Sequence, residues 1–242
     1  MDGVTRESLR PLLDLQRIDS TTDRLTQRLG DLPEQRALDA LQAERAEAES
    51  LNAERGIELD AVVREQTRLE TDIAMVVDKI ARETKRMDSG QVSSARELTN
   101  IAAELDSLRR RTNHLEDQEL EVMEQREGLD AVVGELTATL SRLAVEIAEA
   151  TVRRDEVSVE ISKELDELAS ERTRVVPTLH PEVLELYEDV RARRGGVAVG
   201  ALEGSTCTAC NLPLSPMARD EIKRSTEPIV RCENCRRLLV VV

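Results

Sequence analysis

A regular stripe of seam positions runs through the second half of the chain. From Leu98 to Ile161, these positions recur at alternating spacings of three and four residues without a slip. Such a heptad pattern predicts a long helix, over residues 95–172, in a left-handed coiled coil. Four polar residues interrupt the stripe: Thr112, Glu119, Arg126 and Arg154. They either set the register of the pairing or mark a loose stretch.

A matching stripe predicts a second long helix over residues 34–87. Between the two helices, Gly90 suits the left-handed residue that ends a helix, and Ser94 with Glu97 forms a capping box that starts the next one. A short turn near Gly90 between two long amphipathic helices favours an antiparallel hairpin within one chain. A parallel dimer between two chains is the alternative that the pattern leaves open.

A shorter amphipathic helix, over about residues 6–30, precedes the hairpin. Gly30 and Pro33 break the pattern, and Pro33 suits the first turn of the next helix. The arm after the turn is longer than the arm before it, so a turn at residue 90 places Glu34 opposite about residue 146. We therefore expect the short helix to cover residues 147–172, which makes residues 1–175 one helical region.

The periodicity changes after Pro177, which ends the long helix. Pro181 opens a short helix over residues 182–192, and Gly195-Gly196 marks a boundary. The remaining chain predicts short elements: strands at 197–199, 229–230 and 238–242, and a helix from Ser215 to Lys223. We assign residues 176–199 to a connecting helix and linker, and residues 200–242 to a small C-terminal domain.

All four cysteines of the chain lie in that domain: Cys207, Cys210, Cys232 and Cys235. Two C-x-x-C pairs, here 21 residues apart, form a tetrahedral thiolate site for zinc. The alternatives are two disulfides or a redox dithiol, although the βαβ pattern of a thioredoxin-type motif is missing. Four thiolates leave no open position for water, so the spacing predicts one structural Zn²⁺. Folding of so small a domain should depend on the ion.

Composition supports an extended helical protein. The chain is 34% charged, has neither Trp nor Phe, and contains a single tyrosine, Tyr187; such a mixture is typical of coiled coils. Of the net charge of −15, residues 200–242 contribute +1 and the rest −16. An acidic rod repels phosphate. Residues 1–30 lack an apolar leader and no stretch is apolar enough to span a membrane, so we expect a cytoplasmic protein without membrane contact.

Three stretches carry a family resemblance: residues 92–98, residues 184–191, and the cysteine knuckles at 204–214 and 231–239. In these stretches the chain resembles the bacterial C4-type zinc-ribbon proteins with an N-terminal coiled-coil hairpin. The resemblance implies a mainly α fold, with a long antiparallel hairpin and a small β zinc ribbon, and a non-enzymatic regulatory or adaptor role. Relatives have been linked to an alternative sigma factor, secretion components or messenger RNA. The chain departs from the family at Arg236, where glycine is usual, and at Val240–Val242, where an aromatic is common.

Two functions follow from these features. A long acidic hairpin offers a helical surface on which a protein partner docks, and the simpler alternative is a spacer. The ribbon is a candidate for binding RNA or DNA through basic residues: Arg193, Arg194, Arg219, Lys223, Arg224, Arg231, Arg236 and Arg237. Such residues contact phosphates without reading sequence, and the alternative for them is ordinary solvated surface.

Catalysis and a small-molecule substrate are not expected. The carboxylates of the rod lie on a solvated helix face, where no pocket is expected to shift their pKa. His114 is expected to face solvent, and His180 to lie near a helix start. Four cysteines already complete the zinc site without either histidine.

Overall fold

The computed structural model describes residues 4–90, 92 and 94–241. The predicted mainly α fold, with a long helical hairpin and a small C-terminal β region, is confirmed. The elements in chain order are α1 (Pro11–Gly30), α2 (Pro33–Asp88), α3 (Ala95–Val175), α4 (Pro181–Arg193), β1 (Val199–Glu203), β2 (Thr206–Cys207), β3 (Leu212–Pro213), α5 (Pro216–Arg224), β4 (Val230–Arg231) and β5 (Leu238–Val241). Short 3₁₀ turns lie at Glu7–Leu9 and Val176–Thr178. No helix in the described residues is long and apolar enough to cross a bilayer.

The strand predicted over residues 197–199 is wrong in its bounds, since β1 begins only at Val199. Val197 and Ala198 lie before the strand, and Ala198 is buried. Its backbone N–H donates to the side-chain oxygen of Gln16 at 2.6 Å. Ala198 packs in an apolar core, and a run of three apolar residues does not distinguish such packing from a strand. Val242, the predicted end of the last strand, lies outside the described residues.

The chain forms two compact units. The hairpin unit comprises residues 37–150, and the base unit comprises residues up to 36 together with those from 151 onward. The predicted boundaries at residues 175 and 199 were drawn from local sequence pattern alone. The two units are defined instead by the contacts that residues make in the fold.

In the hairpin unit, α2 and α3 pack side by side and antiparallel within one chain. Lys79 pairs with Glu104 and Arg86 with Glu97, both at 2.7 Å. Gly90 has a φ of 70°, the left-handed conformation predicted for the turn. Two apolar clusters fill the seam near the turn, with these buried residues: Leu69, Val76 and Leu115 in one, and Val92, Ile101 and Leu105 in the other.

Two of the four polar interruptions of the seam, Arg126 and Arg154, have partners on the other arm. Arg126 Nη1 donates to Oε1 of the buried Gln66 across the seam at 3.1 Å. In the base unit, Arg154 Nη1 likewise donates to Gln35 Oε1 at 2.6 Å. These cross-seam bonds favour a role in register over a loose stretch. They also show that the predicted pairing of Glu34 with residue 146 is wrong, because the connection between the helices is centred after Gly90.

In the base unit, α1 packs on the last part of α3, as predicted. Ile18, Leu25 and Leu32 form a buried cluster with Ile161 and Leu168. A second core contains the single tyrosine, and its buried members come from α1, α4 and the sheet: Leu9, Leu12, Leu15, Leu179, Val183, Tyr187, Val190, Ala198, Val199, Leu238 and Val240.

A buried carboxylate ties the helices of the base unit together. Asp19 on α1 is only 3% exposed. Its carboxylate accepts from Tyr187 Oη of α4 and from Arg172 Nε of α3, both at 2.9 Å. Arg191 of α4 lies 3.5 Å away. Burial and the adjacent Asp19 charge raise the pKa of Tyr187, so its phenol keeps the proton that it donates. One carboxylate thus holds three helices.

Asp19→Ala should destabilise the protein strongly. The change leaves the buried Tyr187 hydroxyl without its acceptor and Arg172 without its buried partner, so we expect a loss of about 3 kcal/mol in the free energy of unfolding. Tyr187→Phe removes one hydrogen bond and should cost about 1 kcal/mol. Urea unfolding followed by far-UV circular dichroism measures both. The exposed Asp14 on the same helix supplies the control, Asp14→Ala; equal losses in the two alanine variants would contradict the prediction.

Candidate zinc centre

The sheet brings the two cysteine pairs together. Its strand order is β3-β2-β1-β5-β4. Antiparallel pairing joins β1 to β2 and β4 to β5, and a parallel pairing of β1 with β5 joins these two halves. Cys207 ends β2 and Cys232 follows β4, so each pair begins where a short strand ends. Both residues are fully buried.

The sulfur positions fit a tetrahedral zinc ion. The four Sγ atoms lie within 4.8 Å of one another, and those of Cys210 and Cys232 are 3.9 Å apart. Zn–S bonds of about 2.3 Å in a tetrahedron separate the sulfurs by about 3.8 Å. All four cysteines are free of disulfides, which removes one alternative. The predicted cofactor, one structural Zn²⁺ held by Cys207, Cys210, Cys232 and Cys235, is confirmed.

The two knuckles share a backbone conformation that the sequence analysis missed. The N–H of Asn211 donates to Cys207 O at 2.8 Å, and the N–H of Arg236 donates to Cys232 O at 2.9 Å. Both Asn211 and Arg236 are left-handed, with φ of 58° and 62°. Asparagine tolerates this region, but an arginine is strained there by its Cβ. The signal in the sequence was the position directly after the second cysteine of each pair, which Asn211 and Arg236 occupy.

The first knuckle lies close against β1. A Cβ on Gly200 would come within 2.7 Å of the Ala209 backbone nitrogen, so only glycine allows this approach. Thr208 secures the contact, since its N–H donates to Ala201 O and its hydroxyl accepts from Ala201 N, at 3.0 and 2.8 Å. Gly200 is therefore a further residue of the site, after Asn211 and Arg236, that cysteine spacing alone did not indicate.

The thiols of the zinc-free site differ in acidity. Burial raises the pKa of Cys207 to about 12 and also raises that of Cys232. Burial acts in the same direction on Cys235, but hydrogen bonds from the Arg237 backbone N–H and the neighbouring thiols lower its pKa overall. At neutral pH the buried thiols are protonated, so zinc must displace their protons when it binds.

Arg237, predicted as a contact residue, is bound within the fold. Its guanidinium donates to three backbone carbonyls: Val197 O at 2.7 Å, Arg194 O at 3.0 Å and Ala209 O at 3.4 Å. It therefore connects the end of α4 with the first knuckle. A basic residue that binds backbone carbonyls inside the fold looks the same in sequence as one exposed for a ligand.

The other candidate contact residues are spread over the surface. Exposed ones are Arg193, Arg194, Lys223, Arg224, Arg231 and Arg236, whereas Arg219 is half-buried. Arg231 and Arg236 line a groove of about 550 Å³, but Glu221, Glu227 and Glu233 line it too. These carboxylates offset the attraction of the arginines for phosphate. A contact role for the basic residues stays a prediction.

The histidines lie where the sequence placed them. His114 is exposed on α3. His180 is the N-cap of α4, where its Nδ1 accepts from the Glu182 N–H at 3.3 Å. Neither belongs to the sulfur cluster.

Acid should release the zinc. Protonated thiols cannot bind the ion, and the raised pKa of Cys207 means that protons compete at neutral pH already. We expect affinity to fall by about three to four powers of ten per pH unit, because binding displaces that many protons. Competition with a chromophoric chelator measures this, starting from one zinc per chain. The Cys232→Ser/Cys235→Ser variant should not retain zinc, and an affinity independent of pH would refute thiolate ligation.

Arg236→Gly should tighten zinc binding. Removal of the Cβ relieves about 1 kcal/mol of left-handed strain, which corresponds to about fivefold in affinity where zinc binding and ribbon folding are coupled. The same chelator competition provides the measurement. Arg236→Ala is the control, since it removes the guanidinium but keeps the strain. Equal affinities for the glycine and alanine variants would show that the backbone conformation does not matter.

Comparison with known proteins identifies both regions. Residues 15–195 match the CT398-like coiled coil hairpin domain, and residues 206–239 match the C4-type zinc ribbon domain. The Mycobacterium tuberculosis protein Rv2229c is 33% identical over 98% of this chain and 96% of its own length. A solved structure from Mycobacterium smegmatis is 32% identical, covers 99% of both chains and has a TM-score of 0.83.

CT398 from Chlamydia trachomatis shares the fold, with a TM-score of 0.68 at 22% identity over 98% of both chains. The long helices, the sulfur cluster and these matches agree on one assignment. The chain belongs to the family of CT398-like coiled-coil hairpin proteins and carries that family's hairpin together with a C4-type zinc ribbon.

Proposed function

We propose that the protein is a non-enzymatic adaptor that holds a partner protein on its hairpin unit. The observation that carries this proposal is an open groove of about 800 Å³ between α2 and α3. Its floor is apolar and formed by Leu51, Ala61, Val62, Gly128, Leu129 and Val132. Leu51 and Val132 are 37% and 39% exposed, so apolar surface remains open to a ligand.

Small residues create the groove. Ala61 and Gly128 face it from opposite arms, and a Cβ at Gly128 would meet nothing within 4 Å. Larger apolar residues at these positions would close the seam, as they do nearer the turn. A spacer needs only a closed seam, so the open groove favours an adaptor over a spacer.

The charge around the groove defines the partner. Residues 116–135 contain eight carboxylates and one arginine, and the groove itself is lined by Glu124 and by Glu58, which pairs with the lining Arg55 at 2.7 Å. A complementary ligand is a short amphipathic helix that inserts an apolar side chain and carries Lys or Arg beside it. Anionic nucleic acid would be repelled here.

In this proposal the zinc ion has a structural role and no catalytic one. Four protein ligands close the coordination shell, so the ion has no position for a substrate or an activated water. The function we assign needs neither a small-molecule substrate nor a membrane. It suits a reducing cytoplasm, where the thiols stay available for zinc.

Gly128→Leu should abolish partner binding without harming the fold. The leucine side chain fills the groove, and replacing glycine inside a helix should stabilise it by about 1 kcal/mol. Crosslinking in cells, purification with and without nuclease, and quantitative mass spectrometry measure the partner. We expect at least a tenfold loss of a nuclease-resistant partner relative to wild type.

Gly134→Leu is the matched control. Gly134 is an exposed glycine of the same helix, with open space around it, and does not line the groove. It should retain the partner. Equal capture by all three proteins would refute docking in the groove. Capture that disappears with nuclease and in the Cys232→Ser/Cys235→Ser variant would instead assign nucleic-acid binding to the ribbon.

A further inference from the structure

The ribbon sheet is shared between two apolar cores. Side chains of β5 alternate, as a strand requires. Leu238 and Val240 lie in the core around Tyr187, whereas Leu239 and Val241 lie against the core that contains Cys207 and Cys232. One strand of four residues therefore forms a wall of the helical core with one face and a wall of the zinc centre with the other.

The partner strand repeats this arrangement. β1 pairs in parallel with β5, from Val199 opposite Leu238 to Leu202 opposite Val241. Val199 belongs to the core around Tyr187, and Leu202 packs against the zinc-side core. The strands outside this pair have only two residues each. Since such short strands have little stability of their own, the zinc knuckles hold the pair in place.

Polar contacts reinforce the connection from the helical side. Gln16 of α1 is 7% exposed, and its Oε1 accepts from the N–H groups of Ala198 and Val199 at 2.6 and 3.2 Å. Its Nε2 donates to Gly196 O at 2.9 Å. One glutamine thus binds three backbone groups at or just before the start of β1, and the two N–H groups among them are buried.

Arg237 reinforces it from the zinc side. It lies between Cys235 and β5, and its backbone O accepts from the N–H of Cys232 at 2.9 Å. Its guanidinium reaches the end of α4 at Arg194 O and the first knuckle at Ala209 O. Movement of the second knuckle therefore displaces a side chain that is bonded to the end of α4 and to the segment before β1.

We propose that zinc occupancy controls the order of the helical core around Tyr187, so that the base unit responds to zinc. Without the ion the two cysteine knuckles are no longer fixed to each other, and the pairing of β1 with β5 loses its support. Ala198, Val199, Leu238 and Val240 then leave the core, and the facing side chains of α1 and α4 lose one wall. By linkage, a change in α1 that destabilises the zinc-bound arrangement of this core more than the zinc-free one must weaken zinc binding by the corresponding factor.

Tyr187 gives a direct readout, because the chain has no Trp and no other Tyr. Zinc is removed from the full-length protein with a chelator, and tyrosine emission, acrylamide quenching and hydrogen exchange of α1 and α4 are followed. We expect quenching to rise severalfold and amides of α4 to exchange at least tenfold faster, with full recovery when zinc is returned. Rapid exchange confined to the ribbon, with an unchanged Tyr187 signal, would overturn the proposal.

The reciprocal effect is tested far from the cysteines. Gln16→Leu should weaken zinc affinity about tenfold, although residue 16 touches no ligand, while the far-UV spectrum with zinc bound stays that of wild type. Gln27→Leu is the matched control, an exposed glutamine on the same helix, and should leave the affinity unchanged. Equal zinc affinity of the two variants would overturn the linkage.

A second pair of variants tests the connection at Arg237. Arg237→Ala should weaken zinc binding about tenfold, and Arg237→Lys nearly as much, because an ammonium group cannot reach three carbonyls at once. Arg224→Ala, at an exposed arginine whose Nε donates to Asp220 O of its own helix, should behave like wild type. If Arg237→Ala also matches wild type, Arg237 does not transmit the effect.

Discussion

The tetrahedral zinc site is the constraint on which the C-terminal half of the base unit depends. Three of the five strands have two residues each, far short of what a free sheet needs. Four sulfurs within 4.8 Å of one another fix the ends of these strands and so bring β1 beside β5. That parallel pair then covers the apolar side chains of α1 and α4. The zinc centre therefore lies on one face of a sheet whose other face belongs to the helical core around Tyr187.

Buried polar groups fix the position of α1 in the core around Tyr187. Apolar side chains alone would tolerate small shifts of α1 along the sheet. Gln16 and Asp19 prevent such shifts, because their partners are fixed in position: backbone N–H groups for Gln16, and Tyr187 and Arg172 for Asp19. Each of these contacts joins segments more than 150 residues apart in sequence. The early and late parts of the chain are thus specified to fold against each other.

Local pattern was enough to predict the helices, the turn at Gly90 and the zinc ligands, since heptads, turn residues and C-x-x-C pairs are short-range signals. The roles of Gln16, Asp19 and Arg237 could not be predicted, because their partners are distant in sequence. A buried polar side chain also has no local signature in the sequence. Arg237 resembled a surface contact for the same reason. Gly200 and Arg236 are intermediate cases: each stands beside a recognisable knuckle, but only the backbone geometry shows why a side chain is excluded or strained there.

The hairpin unit is less well packed than its length allows. Polar pairs such as Arg126 with Gln66 replace apolar layers, and the seam is open at Gly128, where a larger residue would bury more surface and support the helix better. Both features lower stability relative to a closed leucine seam. The polar pairs are explained by register, because their hydrogen bonds across the seam fix how the two helices align. Stability and register leave the open apolar groove unexplained, and the helical ligand that we propose would supply the missing burial.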